Sequence, residues 1–146
     1  MNIEQTCLIG AKRTEVWNLL MDPEVLQKAI PGCQELQPIS TNEYKATLKM
    51  GIGPVKGTFS GKLTLQDIDE PERYTMVIEG QGVPGFVNGK GNLSLTDLGN
   101  STEIKVVGEA NVGGTIAQVG SRMVGPAVNQ MMTQFFNAIK KLAEDK

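Results

Sequence analysis

The sequence predicts an α+β domain in which a curved antiparallel sheet is followed by one long C-terminal helix. Three observations carry that prediction. Between Tyr44 and Val112, strand-length segments alternate between polar residues and residues that are apolar or glycine. Consecutive segments are joined by very short links: Ser40-Thr41-Asn42, Gly53-Pro54, Glu70-Pro71-Glu72, Val83-Pro84-Gly85 and Gly99-Asn100. Links that short allow only antiparallel neighbours, because a parallel crossover needs a dozen residues or more. The stretch from Thr115 onward instead repeats its apolar residues at helical spacing. With 146 residues, the chain is expected to form a single domain over 1–146.

In chain order, residues 3–9 alternate as a first strand. Thr14 is the expected cap of a helix carrying Val16, Trp17, Leu19 and Leu20, with Glu15 in its first turn. Asp22-Pro23-Glu24 starts a second helix, with an acidic cap and then a proline where no amide hydrogen is needed. Pro31-Gly32 keeps that helix short. Strands are then expected over 34–39, 43–52, 55–68, 73–82, 86–98 and 102–112. In the final helix, Val124, Val128, Met131, Met132, Phe135, Ile139 and Leu142 make one apolar stripe, opposed by Gln130, Thr133, Gln134, Asn137 and Lys141. A straight helix from Thr115 would turn Ile116, Val119 and Met123 off that stripe. A kink or restart is therefore expected at Gly125-Pro126, since an internal proline removes a hydrogen bond and costs about 3 kcal/mol.

Glycines on the apolar parity are the most informative feature of the strands. In residues 57–65 that parity holds Gly57, Phe59, Gly61, Leu63 and Leu65; in 87–95 it holds Gly89 and Gly91; Gly80 and Gly108 follow the same rule. Alternate strand side chains point to opposite faces, so these glycines are expected on the inner face. There they permit bending and leave volume unfilled. The expectation is a strongly curved sheet with space inside, the alternative being a gap filled by other side chains.

Composition excludes several chemistries. A net charge of −2 with no run of like charges gives nothing for nucleic acid to bind. No basic region followed by an apolar run opens the chain, and no stretch has the roughly 18 apolar residues of a membrane span, so the expectation is a soluble, cytoplasmic protein. The chain contains no histidine, which removes the commonest general base and the His-assisted nucleophiles. Cys7 and Cys33 are read as buried free thiols, because two thiols without histidine make no standard zinc site. Asp67, Asp69, Glu70 and Glu72 around Pro71 are read as a solvated turn. No metal, cofactor or catalytic residue is expected.

Several of these segments resemble one family. Residues 15–26, from Glu15-Val16-Trp17 through Met21-Asp22-Pro23, are closed by Ala29-Ile30-Pro31-Gly32-Cys33, the most specific element. Gly53-Pro54-Val55-Lys56-Gly57-Thr58-Phe59-Ser60-Gly61, Gly113-Gly114-Thr115-Ile116-Ala117-Gln118-Val119-Gly120-Ser121-Arg122 and Phe135-Phe136 complete the pattern. Over essentially its whole length the chain resembles the CoxG family of carbon monoxide dehydrogenase subunits, within the START-like, or Bet v 1-like (SRPBCC), helix-grip superfamily. The resemblance implies seven antiparallel strands curled around the C-terminal helix, two small helices after the first strand, and an apolar cavity between sheet and helix. It also implies an accessory role beside molybdenum hydroxylases of the CO dehydrogenase type, linking them to the membrane or its quinone pool. Longer members carry a C-terminal extension suited to membrane contact, whereas this sequence stops at Lys146, so ligand binding in the grip is expected ahead of direct anchoring.

The functional expectation is non-enzymatic binding of an apolar small molecule, a lipid or a quinone. Its walls are expected from Trp17, Ile30, Tyr44, Leu48, Met50 and Phe59, continued by Gly61, Leu63, Met76, Ile78 and Gly89. Val106, Gly108, Val128, Met131, Met132 and Phe135 close it. Ile116, Val119 and Met123 are expected to form a gate or partner patch, with peripheral contact at the inner face of the membrane. Two alternatives stand beside this reading. One is a cyclase- or hydratase-type enzyme, disfavoured because the inward parity offers Tyr44 and little else while Glu79, Glu103 and Glu109 lie on the outward parity. The other is an interaction module with a vestigial cavity.

Overall fold

The computed structural model describes residues 1–145. Its strands are β1 (Asn2–Ile9), β2 (Cys33–Ser40), β3 (Glu43–Ile52), β4 (Val55–Asp69), β5 (Arg73–Gly82), β6 (Gly85–Asp97) and β7 (Thr102–Gly113). They form one antiparallel sheet in the order β1-β7-β6-β5-β4-β3-β2. Six strands thus follow one another as the short links require, and β1 returns to the free edge of β7. Helices α1 (Arg13–Met21) and α2 (Pro23–Ala29) connect β1 to β2, and α3 (Ser121–Glu144) closes the chain. Every expected strand is present, with ends within two residues of those read from the alternation.

The helix starts follow local chemistry, with one exception. Asp22 caps α2 as expected, its Oδ1 accepting the Glu24 amide at 3.0 Å, with Pro23 in the first turn. Thr14 does not cap α1: the helix begins at Arg13 behind Lys12, without a side-chain cap bond. The C-terminal region also departs from expectation. Residues Thr115–Val119 form a separate short 3-10 helix, and the break falls at Gly120, whose φ of 91° suits glycine. α3 then runs unbroken through Gly125 and Pro126. Pro126, the sixth residue of α3, leaves the Arg122 carbonyl without its helical donor but does not interrupt the helix, and the chain changes direction at Gly120, where glycine permits it.

Two apolar clusters hold the sheet and helices together. The larger joins Trp17, Leu20 and Leu26 of α1 and α2 to Tyr44, Leu63, Tyr74, Leu93 and Ile104 of the sheet and to Phe136 and Ile139 of α3. The smaller lies toward the β3–β4 and β5–β6 turns and joins Leu48, Ile52 and Phe59 to Ile116 and Val124. There the 3-10 helix is tied down by the Ile116 amide, which donates to the Pro84 carbonyl at 2.8 Å. At the opposite end, Glu144 accepts from the Gly10 amide at 2.7 Å and pairs with Lys140 at 3.0 Å, while Lys140 also donates to the Leu8 carbonyl. Both ends of α3 are therefore fastened to the sheet.

Candidate functional site

Burial along the inner face is uneven, and the unevenness defines the site. In β5 the inward row runs Tyr74, Met76, Ile78, Gly80, and its two ends are buried while Met76 and Ile78 are only half-buried. In β6 the inward positions Val87, Gly89 and Gly91 are half-buried, whereas Leu93 and Leu95 are buried. The helix shows the same pattern: Val128, Met131, Met132 and Phe135 keep accessible surface between the buried Val124 and the buried Phe136 and Ile139. The apolar groups that keep accessible surface thus lie between positions buried in the larger cluster and positions buried in the smaller one.

The residues expected to line this space divide into two groups. Trp17, Tyr44, Leu48, Phe59, Leu63 and Val106 are buried, none more than 7% exposed, and belong to the packed clusters. Ile30, Met50, Met76, Ile78, Val128, Met131, Met132 and Phe135 are the half-buried ones. Met50 and Met131 also border a cleft of about 270 Å³ between α3, β3 and the Pro31-Gly32 link, whose rim includes Lys49, Gln130 and Gln134. That cleft opens at the edge of the grip where α3 passes the sheet.

The glycines divide as well. At Gly89 the space for a side chain is nearly open, its nearest neighbour being the Glu109 carbonyl at 3.8 Å. Gly80 has ordinary contacts, starting with the Phe59 Cβ at 3.5 Å. Gly61 and Gly108, expected to leave volume empty, are explained differently. A Cβ on Gly61 would run into the Glu79 carbonyl, and one on Gly108 into the Lys90 carbonyl. These two are glycine because a neighbouring strand approaches closely. Gly61 also borders a cleft of about 520 Å³ shared with Ser60, Lys62, Glu79, Gln81 and Asn88, which belong to the outward parity. Gly57 is likewise filled, by the ring of Pro84.

Ile116, Val119 and Met123 do not form one patch. Ile116 is fully buried in the smaller cluster and Val119 packs half-buried against it. Met123 is 42% exposed, and its methyl occupies the place a Cβ on Gly53 would take. The direction change at Gly120 turns the first two inward, so they are core.

Polar groups inside the grip are few. Among the described residues the buried polar side chains apart from tyrosine are Thr75 and Thr102, and both are satisfied: Thr75 donates to Asn92 Oδ1 at 2.7 Å and Thr102 to the Ala11 carbonyl at 2.8 Å. The inward parity holds a second tyrosine besides Tyr44. Tyr74 is 1% exposed, its ring meets Trp17 edge-on at 5.5 Å, and burial pushes its phenol well above the ordinary range. The acidic turn is also more than a solvated loop, because Glu70 accepts the Trp17 indole N–H at 2.9 Å. Cys7 and Cys33 are free as expected but half-buried, and desolvation raises both thiols. No three metal-ligating side chains group together among the described residues, and no described helix is long and apolar enough to cross a membrane.

Comparison with known proteins agrees with this architecture. The CoxG family model, which describes a subunit of carbon monoxide dehydrogenase, matches residues 6–143. A conserved protein from Geobacillus kaustophilus is 36% identical and superposes with a TM-score of 0.94, over 99% of this chain and 96% of that one. A START superfamily protein from Mycobacterium smegmatis is 16% identical with a TM-score of 0.72, over 99% of this chain and 97% of that one. The Zhui aromatase/cyclase from Streptomyces sp. R1128 is 15% identical at the same TM-score, over 99% and 93%. The last two show the fold alone. No curated protein matches the chain in sequence.

Proposed function

Since the chain belongs to the CoxG family of carbon monoxide dehydrogenase subunits, with a START-like helix-grip fold, we propose that it binds an apolar small molecule, a lipid or quinone, between α3 and the inner face of the sheet. It carries this ligand without transforming it, as an accessory to a molybdenum hydroxylase of the CO dehydrogenase type. In that role it works on the cytoplasmic side and meets the membrane peripherally, where such ligands partition.

The observation that carries the reading is the half-buried apolar belt. Met76, Ile78 and Gly89 on the inner face of the sheet and Val128, Met132 and Phe135 on α3 keep accessible surface, whereas a filled core would bury them. Ligand sites are mostly apolar, with few polar groups to fix orientation. A non-enzymatic role is supported by what surrounds the belt. Among the described residues no aspartate or glutamate is buried, so the interior lacks the acid–base pair a cyclase or hydratase would use.

Native mass spectrometry of the purified protein, before and after extraction with organic solvent, tests the proposal. The expected result is an extractable adduct, with the stripped protein regaining mass when a quinone or fatty acid is added. Stripped, folded protein that takes up neither would overturn it.

A further inference from the structure

We infer that the end of the molecule built by the β3–β4 and β5–β6 turns is a docking face for an anionic lipid surface. This rests on the peripheral membrane contact proposed above and names the surface that makes it.

Three segments meet at that end. The Gly53-Pro54 turn lies against the start of α3, where the Met123 methyl takes the place a Cβ on Gly53 would occupy. The β5–β6 turn is braced from inside. The Pro84 ring fills the space at Gly57, and the Pro84 carbonyl accepts the Ile116 amide of the 3-10 helix at 2.8 Å. That bracing leaves Val83 standing out at the tip, 100% exposed, the most exposed large apolar side chain among the described residues. Pro54 and Met123 are exposed at the same end, and Phe86 is exposed at the start of β6.

Apolar exposure alone does not single out this end. Ile68 and Leu98 are also exposed, near the opposite turns, but they stand among Asp67, Asp69, Glu72 and Asp97. Charge separates the two ends. Within residues 49–58, 81–88 and 111–124 the only charged side chains are Lys49, Lys56 and Arg122. All three are exposed, and none is in an ion pair among the described residues. The nearest acids along these strands, Glu79 on β5 and Glu109 on β7, stand roughly 13 Å back from the turns.

The occupant follows from this arrangement. Apolar tips among unpaired cations match an interface that is apolar just beneath an anionic surface. Each lysine or arginine held near such a surface adds about fivefold in affinity. A second copy docked end to end would set cations against cations, so self-association does not fit. Because the whole chain carries a net charge of −2, the remainder of the molecule is acidic and is turned away from the lipid.

Flotation of the full chain with vesicles of phosphatidylcholine, with and without phosphatidylglycerol, tests the inference. The wild-type protein should bind the phosphatidylglycerol vesicles, and salt should weaken that binding. Val83→Ser should weaken it about fivefold to tenfold, and Lys56→Gln with Arg122→Gln about tenfold to thirtyfold. Leu98→Ser, at the opposite end, should leave it unchanged. Melting temperatures should hold in all of these variants, because the altered side chains are exposed. Wild-type binding that Val83→Ser and the double variant leave intact would overturn this face while the peripheral contact stands. So would an equal loss in Leu98→Ser, or equal binding to both vesicle compositions. Wild-type protein that binds neither vesicle would overturn the peripheral contact itself.

Discussion

The indole N–H of Trp17, on α1, donates to Glu70 Oε1 in the β4–β5 turn at 2.9 Å, joining residues 53 apart in sequence. The bond satisfies the donor of a tryptophan that is 1% exposed and sits at the centre of the larger cluster. Glu70→Ala should leave that donor buried and unpaired, destabilising the fold by about 1–3 kcal/mol. Urea unfolding followed by fluorescence checks it. Glu70→Gln, which retains an acceptor, should recover much of the loss.

The glycines of the inner face should separate into two behaviours. Gly61→Ala and Gly108→Ala push a methyl into a neighbouring strand's carbonyl and should each cost about 1–3 kcal/mol or more. Gly89→Ala meets nearly open space and should be neutral or stabilising by about 0.4–1 kcal/mol, through reduced freedom of the unfolded chain. Gly89→Leu should keep the fold and weaken ligand uptake by filling the belt. Thermal melting beside ligand titration distinguishes the three sites.

Ile116 and Met123 should differ as core and surface differ. Ile116→Ala empties a fully buried position and should cost about 2–5 kcal/mol. Met123→Ala should stay within about 0.5 kcal/mol, since it lies mostly outside the packed cluster. Equal melting shifts for the two variants would contradict the placement of Ile116.

Acid should loosen the far end of α3 first. The Gly10 amide, then Lys140, hold the Glu144 carboxyl below its ordinary range. A lowered folded-state value means the contribution is present at neutral pH and is lost as pH falls below the ordinary glutamate value, about 4.3, and through the lower folded-state one. Protection factors at Leu142 and Ala143, taken against the intrinsic exchange rate at each pH, should therefore fall in acid, and Glu144→Ala should show the lowered protection already at pH 7.

The sheet was legible because each strand carries its own alternation and each turn its own breaker residues. Asp22-Pro23-Glu24 marked α2 for the same local reason. What the sequence concealed depends on approaches between distant segments. Gly61 reads alike whether it opens a void or admits a neighbouring strand, and only the pairing with β5 distinguishes the two. The break at Gly120 rather than at Gly125-Pro126 follows from a positive φ that a glycine in the sequence permits without specifying. Glu70 resembled any acid in a turn until α1 brought Trp17 against it. Tyr74 lay on the inward parity throughout, and its hydroxyl's lack of a hydrogen-bond partner became visible only when the surrounding side chains were in place.

Methionine methyls offer the most direct test of the central claim, that the ligand lies between α3 and the inner face of the sheet. The chain has seven methionines, of which Met50, Met76, Met131 and Met132 border the grip or its side cleft, while Met1 and Met123 lie outside it. With these methyls labelled with carbon-13, titration of decylubiquinone followed by NMR should shift Met76 and Met132 most, Met131 and Met50 next, and leave Met1 and Met123 in place. Shifts confined to Met1 or Met123, with Met76 and Met132 unmoved, would contradict the account.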